Sequence, residues 1–289
     1  MLKFCIIDPI YIETNLLPAI NGIYFVLIII ASITIAAAGN VINDYFDVNI
    51  DQINKPQKLV VNKIISRRWV IFWHLTLNVL GLVCTMYVSL KTGMHGLFLA
   101  NAACVLLLFV YSASLKKKLL WGNVLVSLLT AWVLLILIIP EYNFFSQQTN
   151  LQRAANEKVL RLGMLYAGFS FIISLVREIV KDVEDLEGDI KYGCKTMPIV
   201  WGINASKIFA GIFILLLAIV LLIIQIYVIR FGWWMSILYC IVAVVIPLIF
   251  TFNKLLQAQT SMQFGKISSA IKMIMLAGIL SMIFIKWYH

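Results

Sequence analysis

The chain has 289 residues, of which 62% are hydrophobic and 12% charged, and its formal net charge is +10. This composition excludes an ordinary soluble domain, which carries about twice that share of charged residues. A basic balance is also found in nucleic-acid-binding proteins, but in so apolar a chain it indicates cationic loops on one side of a membrane. We therefore predict a membrane protein with no nucleic-acid partner.

Eight apolar segments are each long enough to cross the hydrocarbon layer of a bilayer as a helix. They cover residues 20–47, 67–90, 95–113, 119–140, 159–182, 206–229, 232–252 and 267–287. Their continuous Leu- and Ile-rich character lacks the alternating pattern of a membrane β-barrel. The sequence thus predicts an all-α polytopic membrane protein, organised as one domain over residues 1–289.

The amino-terminal residues 1–10 are apolar but too short to span a bilayer, and Asp8-Pro9 interrupts them. They lack the basic start and small-residue cleavage site of a signal peptide. We expect a partial helix here, or the tail of a helix whose beginning is missing.

Loop charges predict the orientation of the chain. The loops after the first, third, fifth and seventh predicted spans carry thirteen lysines and arginines, and the alternate loops carry five. Basic residues accumulate in cytoplasmic loops. We therefore expect an integral, multi-pass protein of a bacterial or archaeal cell membrane, with its acidic segments on the cytoplasmic side.

Nine of the thirteen acidic residues lie in two short clusters, each at the end of an apolar segment. The clusters consist of Asp44, Asp47 and Asp51, and of Glu178, Asp182, Glu184, Asp185, Glu187 and Asp189. Ionisable groups near membrane depth are costly and indicate function. Two such clusters suggest a site for a divalent metal and a polyphosphate.

In the first cluster, Asn43, Asp47 and Asp51 follow the spacing i, i+4, i+8, which places them on one face of a helix. Carboxylates stacked in this way repel one another unless a cation neutralises them, and Mg²⁺ prefers oxygen ligands of this kind. The alternative is a solvated helix end. It is disfavoured because acidic groups at a helix C-terminus oppose the macrodipole.

In the second cluster, Lys181, Asp185 and Asp189 repeat the same spacing, and Arg177 lies one turn earlier. Alternating cations and carboxylates on one helix face suit a complex of metal and diphosphate. The alternative is a salt-bridged helix end, in which Glu178 pairs with Lys181 and Arg177 pairs with Asp185.

These residues resemble the UbiA superfamily of intramembrane prenyltransferases. The patterns N-x-x-x-D-x-x-x-D and K-x-x-x-D-x-x-x-D match its two signatures. Further matches are Y-S-x-x-L-K at 111–116, G-N at 122–123 and G-x-K-T-M-P at 193–198. The resemblance implies nine transmembrane helices around a central cavity capped on the cytoplasmic side, with the first helix truncated in this chain.

The second signature resembles one branch of the superfamily most closely. Arg177 occupies the position where aromatic-acceptor members have tyrosine, and the run from Arg177 to Asp189 is similar to digeranylgeranylglyceryl phosphate synthases. That branch transfers a geranylgeranyl group to the hydroxyl of geranylgeranylglyceryl phosphate. In the loop after the first signature, Lys55 and Lys58 stand where relatives often have arginine, so the charge is kept but the bidentate geometry is lost.

The resemblance implies a Mg²⁺-dependent alkyl transfer from an allylic prenyl diphosphate. The expected metal ligands are Asn43, Asp47, Asp51, Asp185 and Asp189. The residues expected to bind the prenyl diphosphate are Lys55, Lys116, Arg177, Lys181 and Tyr111. Asp44 or Asp182 is expected to take the proton of the acceptor hydroxyl, with Lys181 assisting the reaction, and Tyr45, Phe46 and Tyr111 offer π faces for an allylic cation.

Two alternatives stay open. An aromatic-acceptor polyprenyltransferase of quinone biosynthesis would share the donor site and use an aromatic acid as acceptor. A membrane transporter would line its path with acidic residues, but it would typically show inverted repeats and broken helices at the membrane midplane.

Overall fold

The computed structural model describes residues 1–13, 15, 17–57, 59–143 and 150–288, with only the backbone of 142 and 143. Lys58 lies outside the described residues. Within those ranges the regular structure is helical, apart from one isolated bridge between Val61 and Ile65.

The α-helices carry the following labels. They are α1 (Asp8–Glu13), α2 (Gly22–Asn54), α3 (Arg67–Thr92), α4 (His95–Ala113), α5 (Trp121–Asn143), α6 (Asn150–Glu184), α7 (Leu186–Lys191), α8 (Met197–Val200), α9 (Ile203–Ile229), α10 (Trp234–Cys240), α11 (Ile246–Gln257), α12 (Ser261–Leu280) and α13 (Met282–Tyr288). A π-helical turn precedes α1, a second joins α10 to α11, and a 3₁₀ turn at Leu115–Lys117 follows α4.

Eight helical segments of the described chain are long and apolar enough to cross a membrane. They are α2, α3, α4, α5, α6, α9, the continuous pair α10–α11 and the pair α12–α13. Each coincides with one of the eight predicted spans, so the prediction of an all-α, multi-pass membrane protein is confirmed.

The amino-terminal residues are helical, which agrees with both sequence interpretations. A π-helical turn at Lys3–Ile7 runs into α1, and Pro9, which has no backbone N–H, lies where the π-helical turn passes into the α-helix. The buried Tyr11 hydroxyl donates to the side chain of Asn156. These residues are too few to span a bilayer by themselves.

The chain divides into two compact units. Unit 1 consists of Met1–Pro18, Thr130–Glu184 and Met197–His289, and unit 2 consists of Ala19–Leu129 and Asp185–Thr196. Unit 2 therefore holds both the first acidic signature and the last two carboxylates of the second.

In unit 2, α2 packs along α3 and α4, and the short helix α7 packs on α2. The close approach of α2 and α3 depends on Gly81, where a Cβ atom would lie 2.7 Å from the Ile35 side chain. A left-handed Gly93, with φ of 73°, ends α3. The three spans thus form a fixed support for the carboxyl end of α2.

In unit 1, α6 packs against α9 and α12, and α11 packs against α9 and α12. Between α6, α9, α10, α12 and α13 lies a pocket lined mostly by apolar side chains that include Phe169, Leu221 and Val244. A pocket of this lining suits a hydrocarbon chain.

Candidate active site

The first signature lies on the last turns of α2, which continues to Asn54. Lys55 leaves the helix with φ of −143°, and Pro56 cannot continue it. On this face the Asn43 side-chain amide donates to Asp47 Oδ2 at 2.7 Å, one helical turn away. The spacing read from the sequence therefore does place Asn43, Asp47 and Asp51 on one helical face.

Lys116 is brought to this face by the turn that follows α4. Its ammonium pairs with Asp47 and donates to Asn43 Oδ1 at 3.1 Å, and its side chain is only 10% exposed. Burial lowers the pKa of Lys116, while the Asp47 carboxylate opposes that effect. The arrangement keeps one cation beside the first signature.

Gly122 makes room for this turn. A Cβ atom on Gly122 would lie 2.7 Å from Lys116 Cα and 2.9 Å from the Leu115 carbonyl oxygen. Because both neighbours are backbone atoms, neither can move aside cheaply. The sequence identified Gly122 as part of a motif but gave it no physical role.

Gly122→Ala is expected to displace the turn, lower stability by about 1–3 kcal/mol as overpacked sites do, and weaken the Lys116–Asp47 pair. Thermal unfolding of the detergent-solubilised protein would measure the loss. Gly168→Ala is the matched control, since a Cβ atom there meets nothing within 4 Å. Equal unfolding temperatures for the two variants would contradict the packing role of Gly122.

The second signature does not lie on one continuous helix, so this expectation from the sequence was wrong. Helix α6 ends at Glu184, Asp185 takes φ of −94° and ψ of 11°, and α7 begins at Leu186. Glu184 O accepts from Ser261 Oγ at 2.8 Å. The break separates Lys181, on α6 in unit 1, from Asp185 and Asp189 in unit 2.

Lys55 joins the two signatures within unit 2. Its ammonium lies 2.6 Å from Asp185 Oδ1 and donates to Oδ2 at 2.7 Å, across 130 positions of sequence. Only the contact with Oδ2 has the geometry of a hydrogen bond, and the contact with Oδ1 is an ion pair. The end of α2 and the start of α7 are therefore held together by charge.

Asp189 is buried on α7, and Thr196 Oγ1 lies at 3.5 Å from its Oδ2. Burial, followed by the nearby charges of Asp185 and Asp47, raises the pKa of Asp189 to about 6. Carboxylates of both signatures are therefore close enough to repel one another.

The donor set of unit 2 suits a hard divalent cation. The carboxylates of Asp47, Asp51, Asp185 and Asp189 and the Asn43 amide are all oxygen donors, the kind that Mg²⁺ prefers. Across the part of the chain that the structure describes, no three acidic, histidine or cysteine side chains are gathered into a ready metal site. Lys116 and Lys55 instead neutralise two of the carboxylates.

Arg177 and Lys181 lie on α6 in unit 1 and share a different carboxylate. Arg177 Nη1 donates to Glu178 Oε1 at 2.5 Å, and Lys181 Nζ lies 3.3 Å from Glu178 Oε2. The alternative expectation of a Glu178–Lys181 pair thus describes this helix correctly. Asp185, however, pairs with Lys55. The buried Arg177 Nε has no partner among the described residues.

The remaining predicted site residues are distributed over both units. Asp44 is exposed on α2 and Tyr111 is half-buried on α4, both in unit 2, while Asp182 is half-buried on α6 in unit 1. The Tyr45 ring already faces the Arg67 guanidinium at 5.8 Å. Its π face is therefore occupied by a cation of the protein itself.

Asn54, the last residue of α2, is a site contact that sequence reasoning missed. Its Oδ1 accepts from the Gly188 N–H at 2.8 Å, and its Nδ2 donates to Asp185 O at 2.9 Å. The only signal in the sequence was its place before Lys55 and Pro56, in a loop that was read for charge alone.

Comparison with known proteins shows the family to which the chain belongs. The profile of the UbiA prenyltransferase family matches residues 15–269. The chain belongs to the UbiA prenyltransferase family. Members of this family are prenyltransferases and generally depend on a divalent metal, and the family match covers both acidic signatures.

Three similar proteins are digeranylgeranylglyceryl phosphate synthases. Digeranylgeranylglyceryl phosphate synthase from Methanosphaera stadtmanae is 29% identical over 278 residues, which cover 94% of this chain and 92% of the relative. The synthase from Methanothermobacter thermautotrophicus is 32% identical over 210 residues, covering 71% and 66%. The one from Pyrococcus abyssi is 35% identical over 181 residues, covering 61% and 56%.

A solved structure from a study of digeranylgeranylglyceryl phosphate synthase in membranes is also similar to this UbiA protein. It is 26% identical, has a TM-score of 0.58, and the superposition covers 98% of this chain and 93% of that chain. The likeness extends over nearly the whole helical fold.

Proposed function

We propose that this UbiA prenyltransferase transfers a geranylgeranyl group from an allylic diphosphate to the hydroxyl of a prenylglyceryl phosphate, as a step of ether-lipid synthesis. The observation that carries the proposal is the Lys55–Asp185 contact, which holds Asp185 of the second signature beside the end of α2, the helix that carries the first signature. The shared name of the similar proteins supports the choice of acceptor. The family match spans parts of both units, which supports treating residues 1–289 as one functional domain.

We assign the metal role to the oxygen donors of unit 2, namely Asn43, Asp47, Asp51, Asp185 and Asp189. Bound Mg²⁺ would neutralise the negative charge that develops on the diphosphate as it leaves. Lys116 and Lys55 now compensate two of these carboxylates. Both ammonium groups would turn toward phosphate oxygens once a metal replaced them as counter-charge, and thereby stabilise the leaving group.

The acceptor hydroxyl must lose a proton as its oxygen attacks the prenyl carbon. We assign that proton to Asp44, which is exposed on α2, or to Asp182, which is half-buried on α6; neither belongs to the proposed ligand set. Comparing Asp44→Asn with Asp182→Asn separates them. The base is the residue whose loss stops transfer while donor binding and Mg²⁺ binding persist.

We assign recognition of the acceptor phosphate to Arg177, with Lys181 beside it. The two cations both contact the carboxylate of Glu178. The unpartnered Arg177 Nε leaves one donor of the guanidinium available to an anion. Guanidinium groups bind phosphate through paired hydrogen bonds.

Arg177→Gln is expected to raise the KM for a prenylglyceryl phosphate about 10- to 100-fold, the loss of one charge-assisted contact to phosphate. The KM for the diphosphate donor is expected to change little. Arg161→Gln is the matched control, because Arg161 lies on the same helix in an exposed pair with Glu157. A selective rise in the donor KM instead would move Arg177 to the diphosphate site.

Product analysis separates the proposal from its closest alternative. Purified protein would receive labelled geranylgeranyl diphosphate and Mg²⁺ with either geranylgeranylglyceryl phosphate or an aromatic acid, and the products would be identified by mass. We expect a doubly prenylated glyceryl phosphate. Prenylation of the aromatic acid alone would replace the proposal with the quinone-type reaction, and transport without any product would favour the transporter.

We also propose that the site faces the cytoplasm. The thirteen-to-five bias of basic residues supports this orientation. Cysteine labelling from each side of the membrane at exposed Lys118, next to Lys116, would test it, with Lys118→Cys expected to react only from the cytoplasmic side.

A further inference from the structure

We propose that Asn54 is a positioning residue for the carboxylates of Asp185 and Asp189. The inference rests on the proposed function, in which both carboxylates bind Mg²⁺. The Asn54 side chain replaces a missing helical hydrogen bond at the break between α6 and α7. It thereby holds Asp185 and α7 against the end of α2. We call the two bonds from Asn54 to Gly188 and Asp185 the Asn54 bridge.

The Asn54 bridge stands where an uninterrupted helix would have its own backbone bond. In such a helix the Gly188 N–H would donate to Glu184 O. Here Glu184 O accepts from Ser261 Oγ, and Gly188 N–H donates to Asn54 Oδ1 at 2.8 Å. The amide end of Asn54 donates to Asp185 O at 2.9 Å. One side chain therefore accepts from a backbone donor of α7 and donates to the carbonyl of Asp185, the residue between the two helices.

The Asn54 bridge also requires glycine at position 188. A Cβ atom on Gly188 would lie 2.6 Å from Asn54 Nδ2 and 2.7 Å from its Cγ. The Asn54 amide thus occupies the space that any larger residue at position 188 would need. Asn54 and Gly188 are matched to each other by shape as well as by hydrogen bonding.

The bridge matters because α7 has only six residues. A helix of this length is unstable alone and takes its position from tertiary contacts. Asn54 fixes its backbone, while the adjacent Lys55 contacts the Asp185 side chain. Together they place Asp185 and Asp189 against α2, the helix that carries Asp47 and Asp51.

Asn54→Ala is expected to weaken divalent-metal binding about tenfold, the size of effect seen when a residue that orients metal ligands is removed. The probe is Mn²⁺, titrated against the purified full chain in detergent and followed by electron paramagnetic resonance. In turnover assays the Mg²⁺ concentration for half-maximal rate should rise by a similar factor, and saturating Mg²⁺ should restore most of the rate. Gln52→Ala, which removes an exposed amide two residues earlier, is the matched control.

Gly188→Ala provides a second variant that leaves Asn54 in place. Its methyl group should displace the Asn54 amide and weaken Mn²⁺ binding to a similar extent. In the Asn54→Ala background the methyl group has room, so adding Gly188→Ala should have little further effect. Such non-additivity is expected of residues in contact or in one hydrogen-bond network, and not of distant, independent sites. Hydrogen exchange of the 186–191 amides should also rise in Asn54→Ala while exchange elsewhere is unchanged.

Two outcomes would overturn the inference. The first is that Asn54→Ala binds Mn²⁺ within twofold of the wild-type affinity while Asp185→Asn clearly loses affinity. That result would contradict the positioning role of Asn54 and leave the proposed metal site intact. Fully additive effects of Asn54→Ala and Gly188→Ala would likewise contradict it. If Asp185→Asn also binds Mn²⁺ normally, the proposed metal site itself fails.

Discussion

Asp47→Asn is expected to lower the rate of prenyl transfer about 10²- to 10³-fold, the range for loss of one group that stabilises a developing charge. The asparagine keeps the size of the side chain and removes the carboxylate that pairs with Lys116. It therefore removes a proposed metal ligand and leaves a nearly buried ammonium without its counter-charge. Asp185→Asn should lower the rate by a similar factor, because Asp185 is also a proposed metal ligand and forms an ion pair with Lys55. Single-turnover assays with saturating Mg²⁺ would measure both.

Glu157→Gln is the control for these carboxylate variants. Glu157 forms an exposed pair with Arg161, and such pairs contribute little to stability. Its rate should therefore equal that of the wild type. Retained transfer in both Asp47→Asn and Asp185→Asn would exclude the proposed metal role of the two signatures.

Lys116→Gln is expected to lower kcat by about 100-fold, since one preorganised charge beside the leaving group would be lost. The side chain is largely buried and reaches both Asn43 and Asp47 from the turn after α4. In the proposed mechanism the Lys116 ammonium turns from Asp47 toward the phosphate oxygens of the donor. The measurement is kcat and KM for the prenyl diphosphate at saturating acceptor.

The neighbouring Lys118 supplies a matched control for Lys116. Lys118 ends the same turn but is exposed. Lys118→Gln changes the net charge of the loop equally and should leave kcat unchanged. An equal loss in both variants would indicate a general effect of loop charge, and would contradict a specific role for Lys116.

Much of the fold could be predicted because its signals are local. The eight spans follow from runs of apolar residues whose length matches a bilayer. The face of α2 that carries Asn43, Asp47 and Asp51 follows from helical spacing, and the Asn43–Asp47 bond joins residues one turn apart. In both cases the interacting groups are close in sequence, so periodicity is sufficient.

The second signature shows where that reasoning ends. Its spacing is as regular as that of the first, yet the helix stops between Lys181 and Asp189. The contacts that decide where the helix stops come from distant positions in the sequence. The Ser261 hydroxyl donates to the Glu184 carbonyl, and the Asn54 side chain accepts from the Gly188 N–H. Spacing cannot report whether another element will compete for the backbone bonds of a helix.

The sequence by itself determined the membrane-spanning helices, the acidic face of α2 and the residue types suited to metal and diphosphate. Only the tertiary structure decided which charges meet. It pairs Asp47 with Lys116 and Asp185 with Lys55, and it leaves Arg177 with Glu178. The physical reason is that charge pairing depends on distance in space, and positions 55 and 185 become neighbours only when the chain has folded.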